Sequence, residues 1–297
     1  MVGRRFCLLL DENRCAYSHA LGDAMNAAAQ KLGVHLEYLP VAWARSSEEI
    51  ADTDLEEILL RAGNADGLIM MSSVFSHGLK NLAQLAQLWW PRPASSIGYR
   101  LPLVPSVLVD NRGAMQAATR HLIADHGRKN ILFIRGRADS QEATDRYFGF
   151  RQALRERQII SEAQRVLQGD FTGLSAVNAL SRLPAGAIFD AVIASNDEMA
   201  LAAMTDLERK GYRVPDDVAV IGFDDIPAAS IARPPLTTMA QPFDALAESA
   251  IGLVLERCQG LQVPTLKEVP VNFVQRSSCG CSGRLGTSLA SRRPLRI

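Results

Sequence analysis

Hydrophobic residues along this chain fall in short unbroken runs, and each run gives way to a longer segment whose apolar positions recur every three or four residues. The first run is "RRFCLLLD" at 4–11. The segment after it, "YSHALGDAMNAAAQKLG", carries Leu21, Met25, Ala28, Ala29 and Leu32 at helical spacing and stops at Gly33. The same strand-then-helix unit repeats: "VHLEYLPV" with "SSEEIADTDLEEILLRAG", "ADGLIMMS" with "SHGLKNLAQLAQLWW", and "ASSIGY" and "PSVLVD" with "RGAMQAATRHLIADHG". A second series runs "KNILFIRG" with "ATDRYFGFRQALRERQI", "RVLQGD" with "GLSAVNALSRLP", "DAVIAS" with "NDEMALAAMTDLERKG", and "VAVIGFDD" with a short helical piece. "FDALAESAIGLVLERCQG" is a last amphipathic helix, and "LKEVPVNFVQR" reads as one final strand.

Strands that are apolar throughout are covered on both faces, which is the condition of parallel sheets linked by helices. There are more such units than one open sheet holds, and they divide into two groups near residue 130. The expected fold is therefore α/β, with two doubly wound parallel-sheet lobes joined by a multi-strand hinge. The expected boundaries are 1–129 plus 242–262 for the N-terminal lobe and 130–241 plus 263–278 for the C-terminal lobe, with 279–297 as a disordered tail or linker. The stretch "PPLTTMAQPF" carries Pro234, Pro235 and Pro242. These bias it toward extended structure suited to crossing between lobes.

Composition narrows the class. The chain has 297 residues, of which 47% are hydrophobic, and this suits two ordinary globular domains. Thirty-two basic residues balance thirty-two acidic ones, so the general positive field that drives non-specific nucleic-acid binding is missing. Five scattered cysteines (Cys7, Cys15, Cys258, Cys279, Cys281) suit reduced thiols in a cytoplasmic protein better than a secreted disulfide framework. No apolar stretch reaches the length of a membrane span, and the first apolar run is too short for a secretion signal.

In doubly wound sheets, ligands sit beyond the carboxyl ends of the strands. Asp11, Ser72, Ser73, Asp110, Arg135, Asp170, Asn196 and Asp224 stand at such ends, as a site for a polar small molecule requires. Asp110, Asp197 and Asp225 equally suit helix-cap or turn roles, "SND" at 195–197 suits a capping box, Arg146 can pair with Glu142 along a helix, and Phe171 can be core. Catalytic signatures are missing: there is no glycine-rich phosphate loop and no G-x-S-x-G. Asp224 and Asp225 are adjacent, so on a strand they point to opposite faces and cannot act as a carboxylate pair. No cofactor and no enzyme activity are expected. The C-x-C pair Cys279 and Cys281 falls short of a tetrahedral metal set, because the five histidines (His19, His35, His77, His121, His126) show no more than weak ligand spacing. No metal site is expected.

"HLIADHGRKNILFIRG", "ATDRYFGFRQAL", "VIASNDEMALAAMTDLERKGYRVPDDVAVIGFDD" and "RPPLTTMAQPF" together resemble the effector-binding domain of LacI/GalR-family bacterial regulators, a fold shared with type I periplasmic sugar-binding proteins. The resemblance runs from about residue 5 to 278. It implies a bilobed Venus-flytrap that closes on a small-molecule effector, sugar- or nucleoside-like, and signals through a homodimer. By motif position Arg146, Asn196 and Asp224 are the expected hydrogen-bonding contacts, Gln241 a contact at the crossover and Phe171 a ring-packing aromatic. On the N-terminal lobe the candidates are Asp11, Tyr17 and Phe75. The family's regulators begin with a helix-turn-helix and hinge helix, whereas this sequence opens on the first strand. DNA is thus expected only through a reader domain absent from this chain, or the signal passes to a fused output domain, which the "RxSCGC"-like ending also suggests. The alternative class is a solute-binding protein of a transport system.

Overall fold

The computed structural model describes residues 3–11, 15–41, 52–71, 79–159, 165–184 and 186–281. In chain order the elements begin β1 (Arg5–Asp11), α1 (Ala16–Leu32), β2 (His35–Val41), α2 (Asp52–Ala62), β3 (Gly67–Met71), α3 (Leu79–Trp89), β4 (Ala94–Ile97), β5 (Ser106–Val109) and α4 (Asn111–His126). They continue with β6 (Ile131–Arg135), α5 (Gln141–Glu156), β7 (Val166–Gln168), α6 (Gly173–Ser181), β8 (Ala191–Ala194), α7 (Asp197–Arg209), β9 (Ala219–Asp224) and α8 (Pro227–Ile231). The last are β10 (Thr237–Ala240), α9 (Phe243–Cys258), β11 (Leu266–Val269) and β12 (Asn272–Val274).

The strands form two six-stranded sheets, ordered β11-β5-β4-β3-β1-β2 and β12-β10-β9-β8-β6-β7. Every pairing is parallel except β12 on β10. The α/β doubly wound reading of the sequence is the observed class. The apolar runs explain it: β3, β8 and β9 are buried at every position, so both of their faces must be covered.

The chain groups into two compact units. The first comprises Met1–Asn111, Asp139–Glu142 and Gln241–Val271, and the second Arg112–Ala138, Ala143–Ala240 and Asn272–Ile297. In the first, Phe6, Leu8, Met25, Leu68, Ile69, Leu82 and the α9 residues Leu246, Ala250 and Val254 share one core. In the second, Ile134, Val192, Met199, Ala203, Val220 and Leu236 form a core between the sheet and α6–α7.

Several segments, Asp139–Glu142 among them, group differently from the boundaries expected from the sequence. Helix α4 groups with the second unit, where α5 packs so closely that a Cβ on Gly149 would overlap the Arg112 carbonyl. Beside that contact, Gln116 and Arg120 bond the Glu156 carboxylate. The expected single final strand is two strands, because Pro270 has no N–H to give a ladder. Leu266–Val269 pairs with β5 in the first sheet, and Asn272–Val274 pairs with β10 in the second.

Candidate functional site

Arg146 lies on the buried face of α5 and is 3% exposed. Its Nη1 donates to the Ser195 carbonyl at 2.6 Å and stands 3.9 Å from Asp224 Oδ1, while its guanidinium carbon lies 3.7 Å from the centre of the Phe223 ring. A buried cation needs such company, since its desolvation is offset only by charge and hydrogen-bond partners. These partners come from the ends of β8 and β9.

Asn196 caps α7, where its Oδ1 accepts from the Met199 N–H at 3.1 Å and its Nδ2 donates to the Phe171 carbonyl at 2.9 Å. The capping reading of "SND" is thus correct for Asn196, and the same side chain also fixes the Phe171 loop. Phe171 has φ 76°, and its ring covers Gly136 so closely that a Cβ there would overlap it. Glycine at 136 is therefore required for the ring to lie where it does.

Asp224 ends β9 with φ 121° and Asp225 follows at φ 61°, so the chain leaves the sheet through two non-glycine residues of positive φ. Strain of this kind persists where surroundings over-determine it. The Asp225 carboxylate is 2.7 Å from Arg276 Nη2, and the next residue's N–H, that of Ile226, donates to Asp197 Oδ2 at 3.0 Å. The two adjacent acids therefore take different partners, Asp224 the buried Arg146 and Asp225 the half-buried Arg276.

Asp197, which the sequence offered only as a cap or turn former, is fully buried. Besides Ile226 N–H it accepts from Thr238 Oγ1 at 2.6 Å, and Gly222 leaves the space its carboxylate fills. Burial pushes this carboxyl well above the usual aspartate value. The neighbouring Asp224 charge adds to the rise, against the hydrogen bonds from Thr238 and Ile226. Ser195 was also missed: its Oγ is buried with no hydrogen-bond partner among the described residues, next to Asn196.

Arg146, Phe171, Asn196 and Asp224 thus come together at one edge of the second unit, beyond the carboxyl ends of β8 and β9. Gln241 is buried and follows Ala240, the register partner of Asp224 in β10. Tyr17 lies on α1 in the first unit, its ring centre 5.5 Å from that of Phe243. Asp11 is the last residue of β1, with its side chain outside the described portion, and Phe75 lies outside the described residues.

The two sheet orders define a doubly wound α/β class, and comparison with known proteins narrows it. Residues 119–279 match the family described as "Periplasmic binding protein-like domain". The chain is 34% identical over 203 residues to the transcriptional repressor PurR of Photobacterium profundum, covering 67% of this chain and 59% of that one. It is 37% identical over 163 residues to the repressor CytR of Escherichia coli, covering 54% and 47%. A solved complex of the transcriptional regulator CelR with cellobiose superposes with TM-score 0.80 at 28% identity, over 94% of this chain and 86% of that one. The chain belongs to the periplasmic-binding-protein-like family, in the form found as the effector-binding domain of LacI/GalR regulators. It spans about three fifths of the length of the curated relatives it matches. Those relatives are named as transcriptional regulators, not enzymes. No described helix is long and apolar enough to cross a membrane.

Proposed function

We propose that this chain is the ligand-sensing part of a cytoplasmic LacI-type transcriptional regulator, and that it takes a small hydroxyl-rich effector, a sugar or nucleoside, at the Arg146–Asp224 edge. The observation that carries this is the buried guanidinium and carboxylate held 3.9 Å apart at the ends of strands. A hydroxyl both donates and accepts, so adjacent hydroxyls on a ring match a fixed donor beside a fixed acceptor. The Phe171 ring gives such a ligand an apolar face to lie on. Neighbouring members of the fold support the class of ligand, one of them solved with cellobiose. The effector signal passes through a pair of identical chains, as the solved lac repressor dimer suggests. DNA contact belongs to a reader domain other than the segment described.

A thermal-shift panel of sugars, sugar phosphates, nucleosides and purines tests the reading. A compound at 100 times its Kd stabilises the chain by about 2.7 kcal/mol. Asp224→Asn keeps the size of the side chain but loses the charge, and it is expected to weaken that compound about tenfold or more. A panel with no hit on the native chain, or a hit of undiminished strength in Asp224→Asn, overturns the assignment. Sedimentation is expected to give twice the 32.4 kDa chain mass, and a monomer at micromolar concentration counts against the paired arrangement.

A further inference from the structure

After β12 the chain makes a short turn in which Gly280 N–H donates to the Ser277 carbonyl at 3.0 Å. Ser278 fastens this turn to the sheet: its Oγ donates to the Val220 carbonyl at 2.7 Å and accepts from Thr237 N–H at 2.8 Å. Its backbone bonds Val220 and Pro235 at 2.7 and 3.0 Å. Cys279 and Cys281 are thereby held at the end of α4, where the fold supplies the nitrogen ligands that the sequence reading found missing. His121 and His126 stand 160 and 155 residues from Cys281, and both turn Nε2 toward its sulfur, at 3.5 and 3.4 Å. The two Nε2 atoms are 3.1 Å apart, and the four ligand atoms all lie within 4.8 Å of one another.

The separation of the two nitrogens and those from each to the Cys281 sulfur are close to the edges of a metal tetrahedron, and the widest span in the set is about 1 Å longer than such an edge. With Zn–N near 2.05 Å and Zn–S near 2.3 Å, tetrahedral geometry requires about 3.3 Å between nitrogens, about 3.6 Å from nitrogen to sulfur and about 3.8 Å between sulfurs. The four residues between the histidines fall within the three to five usual between paired histidine ligands of structural zinc. The surroundings are those of a ligand set. Asp125 Oδ2 lies 2.7 Å from His121 Nδ1, so that nitrogen donates to the carboxylate and Nε2 is left with its lone pair toward the cluster. Phe273 packs edge-on to the His121 ring, with centres 4.8 Å apart. Thr237 Oγ1 accepts from Arg276 N–H at 2.9 Å, so its own proton points to the Cys279 sulfur at 3.1 Å. Gly280 has φ 102°, and a Cβ there would come within 3.1 Å of His126 Nδ1, so glycine allows the turn to approach the ring.

We propose that His121, His126, Cys279 and Cys281 form a structural Zn2+ site that locks the end of α4 to the segment after β12. Two thiolates and two imidazoles fill four positions and leave none for water or substrate, which separates a structural from a catalytic zinc. The site shares no ligand residue with the Arg146–Asp224 edge and does not depend on the ligand assigned there.

The chain purified under reducing conditions without chelator is expected to carry one zinc per chain by elemental analysis. Stripped and titrated with Co2+, it is expected to show thiolate-to-metal charge transfer and the intense visible bands of tetrahedral cobalt. Cys281→Ser and His126→Gln each lose that spectrum, while Cys258→Ser retains it. His126→Gln alters a half-exposed ring of similar reach, so its circular dichroism stays native and its failure to bind reports ligation. Asp125→Ala weakens cobalt affinity about 10- to 100-fold by freeing the His121 ring. Chelation lowers the Tm of the native chain and leaves that of Cys281→Ser unchanged. Absence of metal uptake by the native chain, or a tetrahedral spectrum that persists in both Cys281→Ser and His126→Gln, overturns the proposal.

Discussion

Asp197 keeps a carboxyl group wholly out of water between two donors and the Asp224 charge, and this gives the second unit one source of pH dependence. An acid whose folded value is raised holds its proton more tightly folded than unfolded. Its cost to stability is thus fully present above the folded value and disappears as pH falls toward the ordinary aspartate value near 4. Asp225, which also faces this carboxyl, adds to the repulsion. Urea denaturation at pH 8 and pH 5 is expected to show the native chain gaining stability on acidification relative to Asp197→Asn, whose uncharged amide can still accept from Ile226 and donate to Thr238. Asp197→Ala is expected to lose about 1–3 kcal/mol for each donor left unpaired. An equal pH response in the native chain and Asp197→Asn would refute this account. At this scale the sequence was partly legible. Strand-end position marked Asn196 and Asp224, but nothing local marked Asp197, whose partners Ile226 and Thr238 lie 29 and 41 residues away. The His–Cys cluster was hidden for the same reason, since no local spacing joins His121 and His126 to a cysteine 160 and 155 positions away.

Among the elements, the contact of α5 with α4 turns on Gly149, which meets backbone and not a side chain that could swing away. Gly149→Ala gains helix propensity but forces the two helices apart. The net expectation is a loss of about 1–3 kcal/mol in urea titration, with unchanged secondary structure by circular dichroism. A variant as stable as the native chain would show that the helices can separate freely. Strand and helix alternation was readable almost throughout, because burial on both faces writes itself as unbroken apolar runs such as those of β3 and β9. The misreadings came where the pattern is silent about partners. "LKEVPVNFVQR" shows strand composition but not that Pro270 hands its halves to different sheets. "PPLTTMAQPF" reads as an extended crossing, yet Thr237–Ala240 is also a buried strand of the second sheet.

For the whole molecule, the order in which the chain is written matters as much as the finished arrangement. The first unit is assembled from two distant stretches, one ending at Asn111 and the other running from Gln241 to Val271. That second stretch supplies α9, whose Val254 lies against Gly67 and whose Ala250 carbonyl receives the Ser95 hydroxyl. It also supplies β11, which closes the edge of β5. A ribosome adding about 5–20 residues per second delivers these pieces on the order of ten seconds after the strands they cover. During that interval the nascent chain displays a bare apolar sheet face and an open strand edge, the two features that recruit wrong partners. Emergence of residues 241–271 covers that face and edge and so closes the interval of exposure.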